Sequence, residues 1–297
     1  MVPTHEDSAI HTFLRENPHY QRAWLRDRGL PEATLLALHN SCAQRCFFCA
    51  GPGTVAVPEA EWTSRGSAMA QMERRPQSVR RLLIGGNEPT LHPDFLVLLN
   101  AARGAGFESV DLMTNGRDLA ANAESWHTAG LTEVVVPLYA ANAALHDEVC
   151  GAVVYDQVVA GLDAAHAIGI SVRVHALLLR RTLSALPDLA RMVRERWGTR
   201  LGVGLLRDKG SFDFTGEAPA FDECVVAVER IPEPFRPLGI GTPACLPTFP
   251  EAPPLLADLY FRTQAKAYGP ACDGCSFRAN CSGAVAAYTN QVRPPSS

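Results

Sequence analysis

The chain lacks any run of about 18 apolar residues, so nothing in it reads as a membrane span. It lacks a basic excess. Its 27 Lys and Arg against 31 Asp and Glu leave a net charge of −4, too little positive charge for a nucleic-acid surface. The opening stretch, MVPTHEDSAIHTFLREN, lacks a basic segment followed by an apolar one, so it is not a secretory signal and the expected compartment is the cytoplasm. There is no internal repeat and no low-complexity tract. An even disulfide framework is missing too. The nine cysteines, at 42, 46, 49, 150, 224, 245, 272, 275 and 281, are odd in number and clustered, which argues for metal or redox use. What is present is a 297-residue chain, 47% hydrophobic, sized for one large domain and a small one.

The most informative feature is Cys42-x3-Cys46-x2-Cys49, directly after a short apolar run. Three thiolates on one tight loop can hold three irons of a [4Fe–4S] cubane and leave the fourth iron open to another ligand. Structural zinc instead pairs two Cys units, or Cys with His pairs. His39 precedes the loop, but no His follows Cys49 at ligand spacing.

From Thr34 onward, strand-length apolar runs alternate with helix-length segments. The expected strands are Thr34–His39, Val79–Ile84, Ser109–Met113, Glu133–Leu138, Ser171–Leu179 and Gly202–Leu206. Helices are expected near Glu61–Glu73, Pro93–Ala105, Ala120–Ala129, Tyr155–Ile168 and Ala185–Trp197, with helical spacing in Val158-Val159-x-x-Leu162-x-x-Ala165. Such alternation implies parallel strands with right-handed crossovers. Six units predict an α/β fold, a partial (β/α)6 TIM-like barrel, with its chemistry at the C-terminal strand ends. The expected division is a helical lead-in over 1–33, in which Trp24 and Leu25 are able to pack on the body; the barrel over 34–210; a Pro- and Gly-punctuated linker over 211–242, with one helical stretch around Glu223–Arg230; and a small Cys-rich domain over 243–297.

Four features then line up in order. They are the three-cysteine loop with Phe48 before its last cysteine, Gly85-Gly86-Asn87-Glu88-Pro89-Thr90 after the second strand, Thr114-Asn115-Gly116 ending the third, and Pro137-Leu138-Tyr139 ending the fourth. This set resembles the radical S-adenosylmethionine (SAM) enzymes over roughly residues 34–206. The resemblance implies that the open iron binds SAM and that cleavage of SAM yields a 5′-deoxyadenosyl radical, which abstracts hydrogen from substrate. It implies cofactor contacts from Phe48, Gly85, Gly86, Asn87, Glu88, Asn115, Tyr139, His175 and Arg207, with Glu88 accepting from the SAM ammonium. Where the family often has Gly before the Glu, this chain has Asn87, a residue that tolerates left-handed backbone. Asn115-Gly116 also reads as a plain turn, and His175 as a core histidine.

Cys272-x2-Cys275-x5-Cys281 resembles the auxiliary-cluster region of SPASM and Twitch domains, with fewer cysteines than a full SPASM domain. With Cys245 it offers four thiolates for a second [4Fe–4S] cluster; a three-cysteine site and structural zinc are the alternatives. Cys224 reads as buried and inert. The lead-in of about 33 residues is shorter than a peptide-leader-binding domain, so a small polar substrate ranks above peptide modification. The compact size is similar to aminoglycoside epimerases and dehydrogenases. Epimerisation, with Cys150 or Cys245 as hydrogen-atom donor, is the expected outcome, ahead of alcohol oxidation through the auxiliary cluster. A non-catalytic iron–sulfur or zinc protein is the reading of another class. The partner implied is an external one-electron reductant of flavodoxin or ferredoxin type, with neither nucleic acid nor membrane.

Overall fold

Strand and helix alternate from Ala33 to Leu205 in a computed structural model of the chain. It describes residues 33–38, 41–49, 62–75, 78–208, 212–240, 242–243, 245–248, 266–275, 281 and 283–292. The expected lead-in lies outside these residues, except Ala33, which opens the first strand. The strands are β1 (Ala33–Leu38), β2 (Arg81–Gly86), β3 (Ser109–Met113), β4 (Glu133–Pro137), β5 (Ser171–Leu178), β6 (Gly202–Leu205) and β7 (Leu238–Gly239). The helices are α1 (Arg65–Glu73), α2 (Phe95–Gly104), α3 (Leu119–Thr128), α4 (Ala143–Cys150), α5 (Tyr155–Ala167), α6 (Leu186–Trp197), α7 (Phe214–Glu217) and α8 (Phe221–Glu229). Sheet order equals chain order, β1 through β7, so the winding runs in one direction as in an incomplete α/β barrel. The six expected strands are all present, and the two-residue β7 adds a seventh, parallel to β6.

Two compact units divide the chain, residues 1–136 with 150–172 and residues 137–149 with 173–297. In the first unit, β2 buries Leu82, Leu83 and Ile84 in succession. Consecutive burial fits a parallel strand covered on both faces. Leu36, Leu98, Leu112 and Val134 complete that core. One polar cluster is sealed in with it. Asp111 on β3 is fully buried, registers with Glu133 on β4, accepts from Ser109 Oγ at 2.6 Å and pairs with Arg81 Nη2 at 3.4 Å. Burial first, then the Glu133 charge, push its carboxyl up to about 6.

In the second unit, α6 buries Leu186, Leu189, Ala190, Val193 and Trp197, the stripe its sequence spacing dictates. Gly198, left-handed at φ 68°, ends the helix. Full burial of each large apolar side chain contributes about 2 kcal/mol, so Leu189→Ala is the change that would loosen this helix most directly. Where described, residues 211–242 hold the helical stretch expected near Glu223–Arg230, as α8, together with α7, a 3₁₀ turn at Glu233–Phe235 and β7. The prolines there start turns between short elements rather than loosening the chain. Further on, β8 (Lys266–Ala267) pairs antiparallel with β9 (Ala284–Val285). Tyr288 is buried between Phe214 and Phe221, with ring centroids at 6.1 and 6.5 Å.

Candidate active site

The three-cysteine loop leaves the C-terminal end of β1, the end where barrel chemistry is expected. Cys49 N–H donates to Cys46 O at 2.9 Å, closing the turn between the last two cysteines. Buried Gln44 accepts from Cys46 Sγ at 3.6 Å, and Asn115 Nδ2 donates to Cys42 Sγ at 3.8 Å. Cys49 is exposed, and Phe47 and Phe48 pack edge to face beside it at 5.1 Å. Burial raises the Cys42 thiol above its usual range, with a Gln44 backbone hydrogen bond opposing and the Glu88 charge adding to the rise. A hydrogen bond from Cys150 is the main cause that lowers Cys46. Among the described residues, no three His, Cys, Asp or Glu side chains already converge as a metal cage. The donor set itself, three soft thiols on one turn, suits iron–sulfur chemistry.

Glu88 sits behind this loop and is 1% exposed. Its Oε1 accepts from Thr90 N–H at 3.3 Å, Thr90 Oγ1 at 2.8 Å and Thr114 Oγ1 at 2.7 Å; its Oε2 accepts from Asn115 N–H at 2.6 Å. Burial raises its carboxyl, and these four hydrogen bonds oppose the rise. One carboxylate therefore ties the end of β2 to the end of β3 and, through Asn115, to Cys42. Asn115 Oδ1 also accepts from Arg117 N–H at 2.9 Å, so the residue makes its turn and reaches the sulfur as well.

The two glycines differ in what they do. A Cβ on Gly86, at φ 138°, would lie 2.0 Å from Leu38 O, so glycine is required there by the neighbouring strand rather than by a ligand. Gly85 has room for a methyl group. Among the described residues none other than glycine has positive φ, so the tolerance of Asn87 for left-handed backbone is not used. Past the motif, His92 Nδ1 accepts from Asp94 N–H at 3.1 Å while Nε2 meets Thr63 O at 2.7 Å, so the imidazole pins the turn before α2.

The second unit holds the remaining candidates. Tyr139 is buried and stacks on His146 at 5.8 Å, and its N–H donates to His146 Nδ1 at 3.2 Å. His175 is buried beside Gly204, whose missing Cβ leaves it room, and its carbonyl accepts from Leu138 N–H at 2.9 Å. Burial lowers both histidines to about 4, so both are neutral at pH 7. Arg207 follows β6 and is partly exposed. Cys245, Cys272, Cys275 and Cys281 are each partly exposed. Cys275 N–H donates to Cys272 O at 3.2 Å, and Gly283 N–H donates to Cys281 Sγ at 3.3 Å. Cys224 is fully buried, and burial pushes its thiol up to about 12.

Sequence reasoning gave Gln44, Thr90 and Thr114 no role. Thr114 carried a signal, a hydroxyl at a strand end beside Asn-Gly; Gln44 carried none beyond its place between two cysteines. Cys150, read as facing substrate, is buried against the cysteine loop, where its carbonyl accepts from Arg45 N–H at 3.0 Å.

Residues 36–193, more than half of the chain, match the family described as the radical SAM superfamily. A probable GTP 3′,8-cyclase of Methanopyrus kandleri is 31% identical over 198 residues, covering 65% of this chain and 62% of that protein. A GTP 3′,8-cyclase of Shewanella denitrificans is 29% identical over 153 residues, covering 49% and 44%. The chain thus spans about half the length of the curated relatives it matches. A radical SAM methyltransferase from Sphaerobacter thermophilus shares the fold at TM-score 0.53 and 16% identity, covering 70% of this chain and 66% of its own. Streptococcus suis SuiB bound to precursor peptide SuiA gives TM-score 0.52 at 18% identity, covering 64% and 44%. Among the described residues no helix is long and apolar enough to cross a membrane.

Proposed function

The chain belongs to the radical SAM superfamily, and on that premise we propose that it abstracts a hydrogen atom from a small, polar, sugar-bearing substrate. When bound, the [4Fe–4S] cluster and SAM supply a 5′-deoxyadenosyl radical as the abstracting species. Cys42, Cys46 and Cys49 would hold the cluster. The observation that carries this assignment is the bracing of the loop, with the Asn115 amide on Cys42 and the Asn115 backbone fixed by buried Glu88. Asn115 orients Cys42, and Glu88 orients Asn115, before any ligand arrives. The family resemblance adds a contact of Glu88 with the SAM ammonium, a charge-assisted hydrogen bond. An external one-electron donor of flavodoxin or ferredoxin type would reach the loop where Cys49 is exposed.

The substrate class is supported by the curated relatives, whose named substrate, GTP, carries a ribose. Cys245, Cys272, Cys275 and Cys281 would hold the auxiliary cluster, with the Gly283 N–H already directed at the Cys281 sulfur. Epimerisation is the second reading. In that reading Cys272, Cys275 and Cys281 hold a three-cysteine site, and because Cys150 is buried against the cysteine loop the hydrogen-atom donor is the partly exposed Cys245.

The test is anaerobic reconstitution with iron and sulfide, then dithionite and SAM, with GTP and a panel of nucleosides and aminosugars. 5′-Deoxyadenosine is expected, with its yield raised by the true substrate. A loaded protein that never releases it contradicts the proposal. Solvent deuterium in an inverted product, lost in Cys245→Ala while SAM cleavage persists, selects the second reading.

A further inference from the structure

One buried thiol in the first unit lies against the cysteine loop without belonging to its motif. Cys150 is 1% exposed, and its backbone carbonyl accepts from Arg45 N–H at 3.0 Å. The next residue is Gly151, at φ 60°, and a Cβ there would lie 2.8 Å from Arg45 O. The chain at 150–151 is therefore seated on the backbone of the residue before Cys46, closer than a side chain would allow. This seating, with Cys150 buried, brings its side chain beside Cys46, and hydrogen bonding by Cys150 is the leading influence that lowers the Cys46 thiol. On its other side Cys46 Sγ contacts the buried Gln44 carboxamide at 3.6 Å.

We propose that Cys150 is a positioning residue for Cys46, whose sulfur accepts its S–H hydrogen bond when bound to iron, so that the cluster is easier to reduce. This rests on the reading that Cys46 is a cluster ligand. A donor on a ligand sulfur withdraws electron density, which stabilises the reduced cluster and raises its potential. A thiol is a weak donor, but here it is held in place by burial and by two backbone contacts. The role differs from hydrogen-atom donation to substrate, since the thiol is committed to a sulfur rather than to the substrate side of the loop.

The test compares wild type, Cys150→Ser, Cys150→Ala and Cys46→Ala after anaerobic reconstitution. Iron content and the cluster midpoint potential are read by spectroelectrochemical titration. Cys150→Ala is expected to keep its iron and shift the midpoint to a more negative value. Cys150→Ser keeps a donor and is expected to stay near wild type. An Ala variant at the wild-type potential, or a Ser variant that shifts with Ala, overturns the proposal. If Cys46→Ala loads the motif cluster as wild type does, the ligand reading fails instead. Should Cys150→Ala not load, the infrared S–H stretch of Cys150, identified as the band absent in Cys150→Ser, decides on unloaded wild-type protein. A band lowered by hydrogen bonding is expected, and a band at the free-thiol position overturns the proposal.

Discussion

The chain carries two cysteine groups, and they are built differently. Cys42, Cys46 and Cys49 follow a six-residue parallel strand; the Cys42 sulfur meets Asn115 just past β3, and the Cys46 sulfur meets Gln44 of the loop itself and Cys150 at the end of α4. Cys272, Cys275 and Cys281 lie on a 3₁₀ turn and short connections beside a two-residue strand pair. The first group is shaped by the fold before metal arrives. On the proposed auxiliary-cluster reading, the second would draw more of its shape from its metal, because metal affinity there would also be folding free energy. Strand ends can preset a reactive loop before any ligand binds.

The largest expected effect separates the groups. Cys42→Ala should abolish 5′-deoxyadenosine formation, whereas Cys275→Ala should lower iron content yet leave SAM cleavage measurable. Equal loss in both variants would break the comparison. Metal removal should act the other way round. Chelated protein should become sensitive to proteolysis around 266–292 while the first unit stays protected, as mapped by mass spectrometry; uniform protection or uniform loss would contradict this.

Next in size is a pH effect inside the first unit. With its carboxyl at about 6 in the fold against 3.8 in the open chain, Asp111 holds a proton that the unfolded state has already released. Stability from this group is therefore full below about pH 4, falls by on the order of 3 kcal/mol up to about pH 6, and is flat above. His146 and His175, lowered to about 4, act with the opposite sign, since the unfolded chain protonates first below about 6.5. Comparing wild type with Asp111→Asn by urea unfolding from pH 4.5 to 7.5 isolates the aspartate. The variant's advantage should grow as pH rises, and a constant difference would contradict the assignment.

Smaller effects fall on the brace itself. Glu88→Gln keeps the shape but replaces an acceptor oxygen with a donor facing either Asn115 N–H or the Thr90 and Thr114 hydroxyls. A cost of about 1–3 kcal/mol in stability is expected by chemical denaturation, with reduced SAM cleavage. Asn115→Ala removes the weak N–H···S contact and the exposed acceptor for Arg117 N–H, so about 1 kcal/mol is expected, with cluster content retained.

Much of this was legible in local sequence. The alternation of strands and helices, the cysteine spacing and Gly85–Thr90 are short-range patterns, and the strand limits moved by only a few residues. What escaped depends on residues distant in sequence or on very short elements. The Cys150–Cys46 contact joins positions far apart in the chain, and β7 has two residues, too few for a pattern. Helix α4 was missed although Asn142 Oδ1 caps it by accepting from Leu145 N–H at 3.0 Å, a signal readable as Asn before an apolar helical turn. The prolines of 211–242 suggested a linker because punctuation looks alike in open chain and in tight turns.

The central claim is that the loop 42–49 carries a cluster whose fourth iron is left for SAM. Electron paramagnetic resonance of the reduced, reconstituted protein tests it directly, recorded with and without SAM. The account predicts a cluster signal whose shape changes when SAM binds, absent from Cys42→Ala. A signal indifferent to SAM, or one that survives loss of Cys42 and still responds to SAM, would contradict it.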